Sequence, residues 1–266
     1  MKDDRFPSAL QAGALVLVLF LCEYLVSAAL HDVFGSRALP VGERWVFASL
    51  LGNGIVFTVL MHLKGGTYRD LFHATTLPAR AACVLLVPPV LMLIPAMVLG
   101  CSVIDDWIVA ALPMSRWEEQ IFAQMAANDL PTIVAVCILA PILEEMLFRG
   151  VILRGFLARY PRPLAIAGSA MCFGLAHLNV YQFIGAFLSG LVLGWLYERT
   201  RSLIPCIALH AGHNTMITVL EMTVDSPATF SAPAWAWTAA LAASAAGSYL
   251  LWRMLAAPPG PRDAPR

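Results

Sequence analysis

The chain has 266 residues, of which 59% are hydrophobic and only 13% charged, with a mean hydropathy of +0.74. A soluble domain carries about 25% charged residues, so composition excludes an ordinary soluble fold and indicates a polytopic membrane protein. Its 17 Lys and Arg balance its 17 Asp and Glu, which offers no basic surface for nucleic acid and no acidic one for a basic partner.

A spanning helix needs about 20 mostly apolar residues. On that measure the chain divides into eight candidate spans, over 8–30, 45–63, 81–101, 131–153, 163–179, 182–197, 203–221 and 233–255. The expected fold is all-α, a polytopic membrane helical bundle of about eight transmembrane helices. The first apolar run, Ala9 to Leu30, is longer than the core of a signal peptide and reads as a retained helix. The third span carries Pro88, Pro89 and Pro95 and is expected to kink. Between the third and fourth spans, Asp105 to Asp129 reads as the longest outer loop. Its Trp107 and Trp117 fit a helix lying at the membrane surface, with Asp105, Asp106, Glu118 and Glu119 on a solvated face.

Basic residues orient the bundle. Lys2, Arg5, Lys64, Arg69, Arg80, Arg154, Arg159, Arg162, Arg199, Arg201, Arg253, Arg262 and Arg266 fall in one set of alternate connections, against Arg37, Arg44 and Arg116 in the other. The positive-inside rule then places both termini in the cytoplasm. The tail 257–266 is rich in proline and is expected to be disordered. Cys22, Cys83, Cys101, Cys137, Cys172 and Cys206 are scattered through apolar runs without a C-x-x-C pair, as small core residues rather than disulfides or metal ligands.

The fourth span holds Glu144 and Glu145 side by side, followed by Arg149. Ionisable residues at membrane depth are costly and mark candidate functional sites. At about 100° per residue, Glu145 and Arg149 share one helix face, while Glu144 points about 100° away. Arg149 can therefore neutralise Glu145, leaving Glu144 without a sequence-local partner, as suits a general base. The alternative is one buried ion-pair network that ties helices together.

In the fifth span, Phe173 and His177 are four residues apart and share a face. In the seventh, His210 and Asn214 form a similar pair about 40° apart, a geometry that suits an oxyanion site in a peptidase and equally suits interhelical hydrogen bonding. His213 points away from that face. Counted at about 1.5 Å per residue from the nearest basic residue, Glu144 lies about 15 Å deep, His177 about 22 Å and His210 about 14 Å. Opposed helices thus bring the three to similar levels. Gly190-x-x-x-Gly194 in the sixth span, with Gly185, allows close helix crossing.

Three segments, Glu144-Glu145-x-x-x-Arg149-Gly150, Phe173-x-x-x-His177 and His210-x-x-x-Asn214, resemble in order the motifs of the CPBP family, the CAAX prenyl proteases and bacteriocin-processing enzymes, which are glutamic intramembrane endopeptidases. The resemblance covers about 130 to 218. It implies a catalytic cavity within the bundle, open toward the cytoplasm. It also implies Glu144 as general base, His177 orienting or activating water, and His210 with Asn214 stabilising the oxyanion. Glu145, Arg149 and Phe173 would support the site. On this reading the chain divides into an N-terminal part, 1–130, with three spans and an outer interfacial loop, a catalytic core, 131–222, a last span, 233–256, and the tail.

The expected substrate is a membrane-associated peptide or protein, and the expected location a bacterial inner membrane. A Glu and His set can hold zinc, but no His-Glu-x-x-His pair is present and a carboxylate can activate water directly, so no cofactor is expected. The competing reading is a non-proteolytic membrane scaffold or immunity protein that retains the fold. A scaffold, however, needs no such combination of Glu144, His177, His210 and Asn214. A proton-relaying transporter fits less well, because no broken helices recur at matching positions in two halves.

Overall fold

In the computed structural model, residues 5–35, 41–125, 129–223 and 232–256 are described. The tail 257–266 and the basic residues Lys2, Arg37, Arg262 and Arg266 lie outside them. Among the described residues the chain forms helices joined by short connections, with a single isolated bridge between His73 and Ser202.

The chain is an integral membrane protein. Five helical stretches are long and apolar enough to cross a membrane, Ala9–Phe34, Gly42–Lys64, Ile94–Ala111, Leu130–Leu157 and Val180–Thr200. Every expected span coincides with helix, but the count of eight is not reached by this measure. Ala79–Leu91 and Arg162–Ala176 are apolar but shorter. Ile204–Thr223 falls outside the set as well, and it is the helix in which His210, His213 and Asn214 dilute the apolar run.

Helix α1 (Ala9–Phe34) starts at a capping box between Ser8 and Gln11, which satisfies otherwise unpaired amides of the first turn. It pairs antiparallel with α2 (Val41–Lys64): Lys64 donates to the Phe6 carbonyl, and Asn53 donates to Glu23. Gly52 permits this crossing, since a Cβ there would sit 2.6 Å from Glu23 Cγ. Short α3 (Tyr68–Phe72) is clasped to the 201–203 turn by hydrogen bonds from Ala74 to the Arg201 carbonyl and from Leu203 to that of Phe72.

The third expected span, 81–101, is two helices. Helix α4 (Ala79–Leu91) gives way at Met92 and Leu93 to α5 (Ile94–Ala111). Pro95 has no N–H for the Leu91 carbonyl, and its ring crowds that oxygen, so the ladder breaks one turn before it. Met92 and Leu93 keep right-handed helical angles, and the break is therefore a kink. Because α5 continues to Ala111, Asp105 and Asp106 lie in a helix rather than in the expected outer loop. A shorter helix follows, α6 (Arg116–Met125), where Phe122 meets Tyr181 edge-on at 6.0 Å.

The fourth span is continuous but wound unevenly. It runs through α7 (Leu130–Val134), π1 (Ala135–Leu139), α8 (Ala140–Glu145), π2 (Met146–Leu153) and α9 (Arg154–Leu157), of which π1 and π2 are π-helical. Such wide turns recur at functional sites. Helices α10 (Arg162–Ala176) and α11 (Val180–Thr200) form a tight hairpin. A Cβ on Gly190 would lie 3.0 Å from the backbone of Ala170, and one on Gly194 would lie 2.9 Å from Ile166, so these glycines set the spacing the sequence suggests. Helix α12 (Ile204–Thr223) and α13 (Ala234–Leu255) complete the bundle. Leu147, Ile152, Leu153, Leu193, Leu196, Leu203 and Leu209 are almost completely buried. The core therefore centres on π2, α11 and α12, and the site is built there.

Candidate active site

Glu145 and Arg149 are both 0% exposed, and Arg149 Nη1 donates to Glu145 Oε1 at 2.8 Å. The one-turn spacing read from the sequence thus survives the change from α8 into π2. A charged pair this deep needs further partners to offset desolvation, and Arg149 has them. Its Nη2 reaches the Gly190 carbonyl at 3.4 Å, and its guanidinium lies 4.5 Å from the Phe173 ring centre.

His210 joins the pair from α12. Its Nδ1 is 2.8 Å from Glu145 Oε1, and its Nε2 is 3.7 Å from Glu144 Oε2. With Glu145 accepting at Nδ1–H, Nε2 carries a second proton only when the ring is imidazolium.

Phe173 is the hub of the aromatic side. Its ring meets His177 at 5.1 Å and His210 at 5.6 Å, both edge-on. His177 is not inside the fifth span as expected but caps the end of α10, where its Nδ1 is 3.0 Å from the Phe173 carbonyl. Leu178 follows with a φ of 57°, and Asn179 caps α11, so the chain reverses directly beyond His177.

Asn214 is placed apart from this group. Its amide donates to the Val136 carbonyl in π1 at 3.0 Å. The reason is local: π1 pairs the Ala140 N–H with the Ala135 carbonyl, so the next carbonyl, Val136, falls opposite Pro141, which has no N–H to give. Asn214 fills that place. His213 Nε2 has no hydrogen-bond partner.

Glu144 is the exposed member of the set, with 34% of its side chain accessible. It opens onto a cavity of about 250 Å³ that His177 also lines. The cavity lies between the α1–α2 hairpin and the π1–α8–α10 side, and it reaches the α10–α11 turn through Gln182. It therefore extends from Glu144 away from the basic ends at Lys64, Arg154 and Arg162, whereas the motif resemblance implies an opening toward those ends. Two polar side chains on its wall, Glu23 and Asn53, were not singled out in the sequence. The signal was available for Glu23, an acid within the first span's apolar run. Among the described residues, no group of three or more His, Cys, Asp or Glu has the arrangement to hold a metal ion.

Residues 126–216 match the family described as type II CAAX prenyl endopeptidase Rce1-like. The resemblance read from the three motifs therefore holds over the helices that carry them. A stretch of 112 residues is 30% identical to an uncharacterized 24.3 kDa protein of Escherichia coli, covering 40% of this chain and 52% of the relative. The chain thus spans about half the length of the curated relative it matches. No solved structure matches at a significant level.

Proposed function

We propose that this protein is an intramembrane endopeptidase of the CAAX protease type, hydrolysing a peptide bond of a membrane-associated protein or peptide with water activated by Glu144. The observation that carries this reading is the placement of Glu144 on the wall of a cavity that His177 also lines, with His210 Nε2 at 3.7 Å. A scaffold has no use for an accessible acid held against a buried His–Glu–Arg relay.

Water held between Glu144 and His177 gives a proton to the Glu144 carboxylate as its oxygen attacks the substrate carbonyl carbon. The tetrahedral oxyanion accepts a hydrogen bond from Nε2–H of His210 as imidazolium, with Glu145 accepting from the other ring nitrogen and Arg149 balancing Glu145. Collapse breaks the C–N bond, and the proton on Glu144 passes to the leaving amine. Asn214 joins the oxyanion site by exchanging the Val136 carbonyl for the substrate oxygen. The carboxylate supplies the nucleophile's activation, so the step is written without a metal. The membrane is taken to be a bacterial inner membrane with both termini cytoplasmic, following the distribution of basic residues.

The test compares membrane-extracted peptides from cells carrying wild type, Glu144→Ala, His177→Ala and His210→Ala, each verified as folded by thermal unfolding. Peptides that appear only with the wild type support the mechanism, and unchanged processing by all three variants sinks it. Activity that persists in the presence of a chelator supports the metal-free step.

A further inference from the structure

The cavity wall opposite Glu144 belongs to α1 and α2, outside the residues matched by the family. Glu23 of α1 stands there, half-buried, and accepts from Asn53 Nδ2 at 2.8 Å. Asn53 is only 4% exposed, and its amide also donates to the Ser49 carbonyl at 3.0 Å, so its orientation is fixed. At the Gly52 crossing the α2 backbone lies close against the stem of Glu23, where a Cβ would sit 2.6 Å from its Cγ.

Glu23 makes no ion pair among the described residues, and no Lys or Arg lines the cavity. Two carboxylates, Glu23 and Glu144, therefore face one space with mostly apolar walls. A carboxylate in such surroundings is costly unless a cation or strong donor meets it. Simple helix adhesion would be served by Asn53 with any neutral acceptor, without placing an acid on a cavity.

We infer that Glu23, held by Asn53, forms a specificity subsite for a basic side chain of the peptide substrate. This rests on the peptidase reading for what the occupant is, but the binding it describes is measurable without turnover. The subsite selects substrates with a Lys or Arg near the scissile bond, and α1 and α2 become part of recognition rather than membrane packing alone.

The experiment titrates the purified full chain in detergent with three probes, N-acetyl-Leu-Arg-Leu-amide and its analogues with Leu or Glu at the centre, following thermal unfolding. Wild type is expected to bind the arginine peptide about tenfold tighter than the leucine peptide, the scale of one desolvated charge contact. Glu23→Gln is expected to bring that ratio close to one. Equal binding of the arginine and leucine peptides by wild type, or a ratio unchanged in Glu23→Gln, overturns the inference. Should Glu23→Gln not fold, Glu23→Ala decides in its place, and an unchanged ratio overturns the inference there too. A charge preference with peptide processing in cells unchanged by Glu144→Ala would refute the peptidase reading and leave the subsite standing. Processing lost in Glu144→Ala with no charge preference would do the reverse.

Discussion

His210 Nδ1 lies 2.8 Å from Glu145 Oε1, although 65 residues separate them in the chain. This contact couples a buried ion pair in the fourth span to the imidazole that faces Glu144, so the charge balance of one is the positioning of the other.

Arg149→Ala removes the counter-charge of a carboxylate that is 0% exposed. Breaking one partner of a buried pair costs about 3–5 kcal/mol, and the loss should appear as a marked fall in thermal midpoint in detergent. Glu145→Gln, which keeps the shape and an acceptor for Arg149, should cost less. Equal midpoints for wild type and Arg149→Ala would show that the pair contributes nothing to folding.

Much of this site was legible beforehand. One-turn spacing predicts the Glu145–Arg149 pair because it needs only local helix geometry, and depth counting brings Glu144, His177 and His210 to related levels because it needs only the rise per residue. What spacing cannot supply is partner choice across helices. Asn214 reads as a neighbour of His210 on one face, but a missing donor at Pro141 draws it to Val136. Asp105 and Asp106 read as loop residues in the sequence, whereas the helix restarts at Ile94 after the kink and runs on to Ala111. Glu23 is visible in the sequence as an acid in an apolar run, but its pairing with Asn53 depends on a crossing between α1 and α2 that no local pattern reveals.

Gly190→Leu tests the α10–α11 crossing on which Arg149 also depends. Even a Cβ at this position would lie 3.0 Å from Ala170 backbone, and a full side chain must push the helices apart. Overpacking of this kind typically costs about 1–3 kcal/mol, and here it also displaces the carbonyl that accepts from Arg149. Both stability and peptide processing should fall, whereas Gly54→Leu, with nothing within 4 Å of its Cβ, should leave the thermal midpoint close to wild type.

Helix α6 carries a pH-dependent cap. The Ser115 N–H donates to Glu118 Oε2 at 2.7 Å, and that backbone bond, with help from the Ser115 hydroxyl, holds the Glu118 carboxyl below its ordinary value. A lowered folded-state pKa means the cap is fully effective above the ordinary glutamate value, about 4.3, and is lost as pH falls through the lower folded value. Intrinsic-rate-corrected hydrogen exchange at the Ser115 amide should therefore show protection falling toward pH 3. In Glu118→Gln the pH dependence should disappear. Protection in wild type that stays constant from pH 6 to about pH 3 would contradict the cap's role.

The contact between Asn214 and Val136 makes a prediction about a third residue, Pro141. Asn214→Ala should leave the Val136 carbonyl unpaired within the bundle, at a cost of about 1–3 kcal/mol. Pro141→Ala restores an N–H at the position opposite that carbonyl in the π-helical register, so the backbone can then satisfy it without Asn214. In the Pro141→Ala background, Asn214→Ala should therefore cost less than in wild type, giving a coupling of about 0.5–1.5 kcal/mol in a double-mutant cycle. The cycle also separates two roles for Asn214. If it acts only as a structural donor, the double variant recovers both stability and peptide processing. If it also stabilises an oxyanion, stability recovers while processing stays reduced by one to two orders of magnitude or so. Strictly additive losses in stability would show that Pro141 is not what leaves the Val136 carbonyl without a partner.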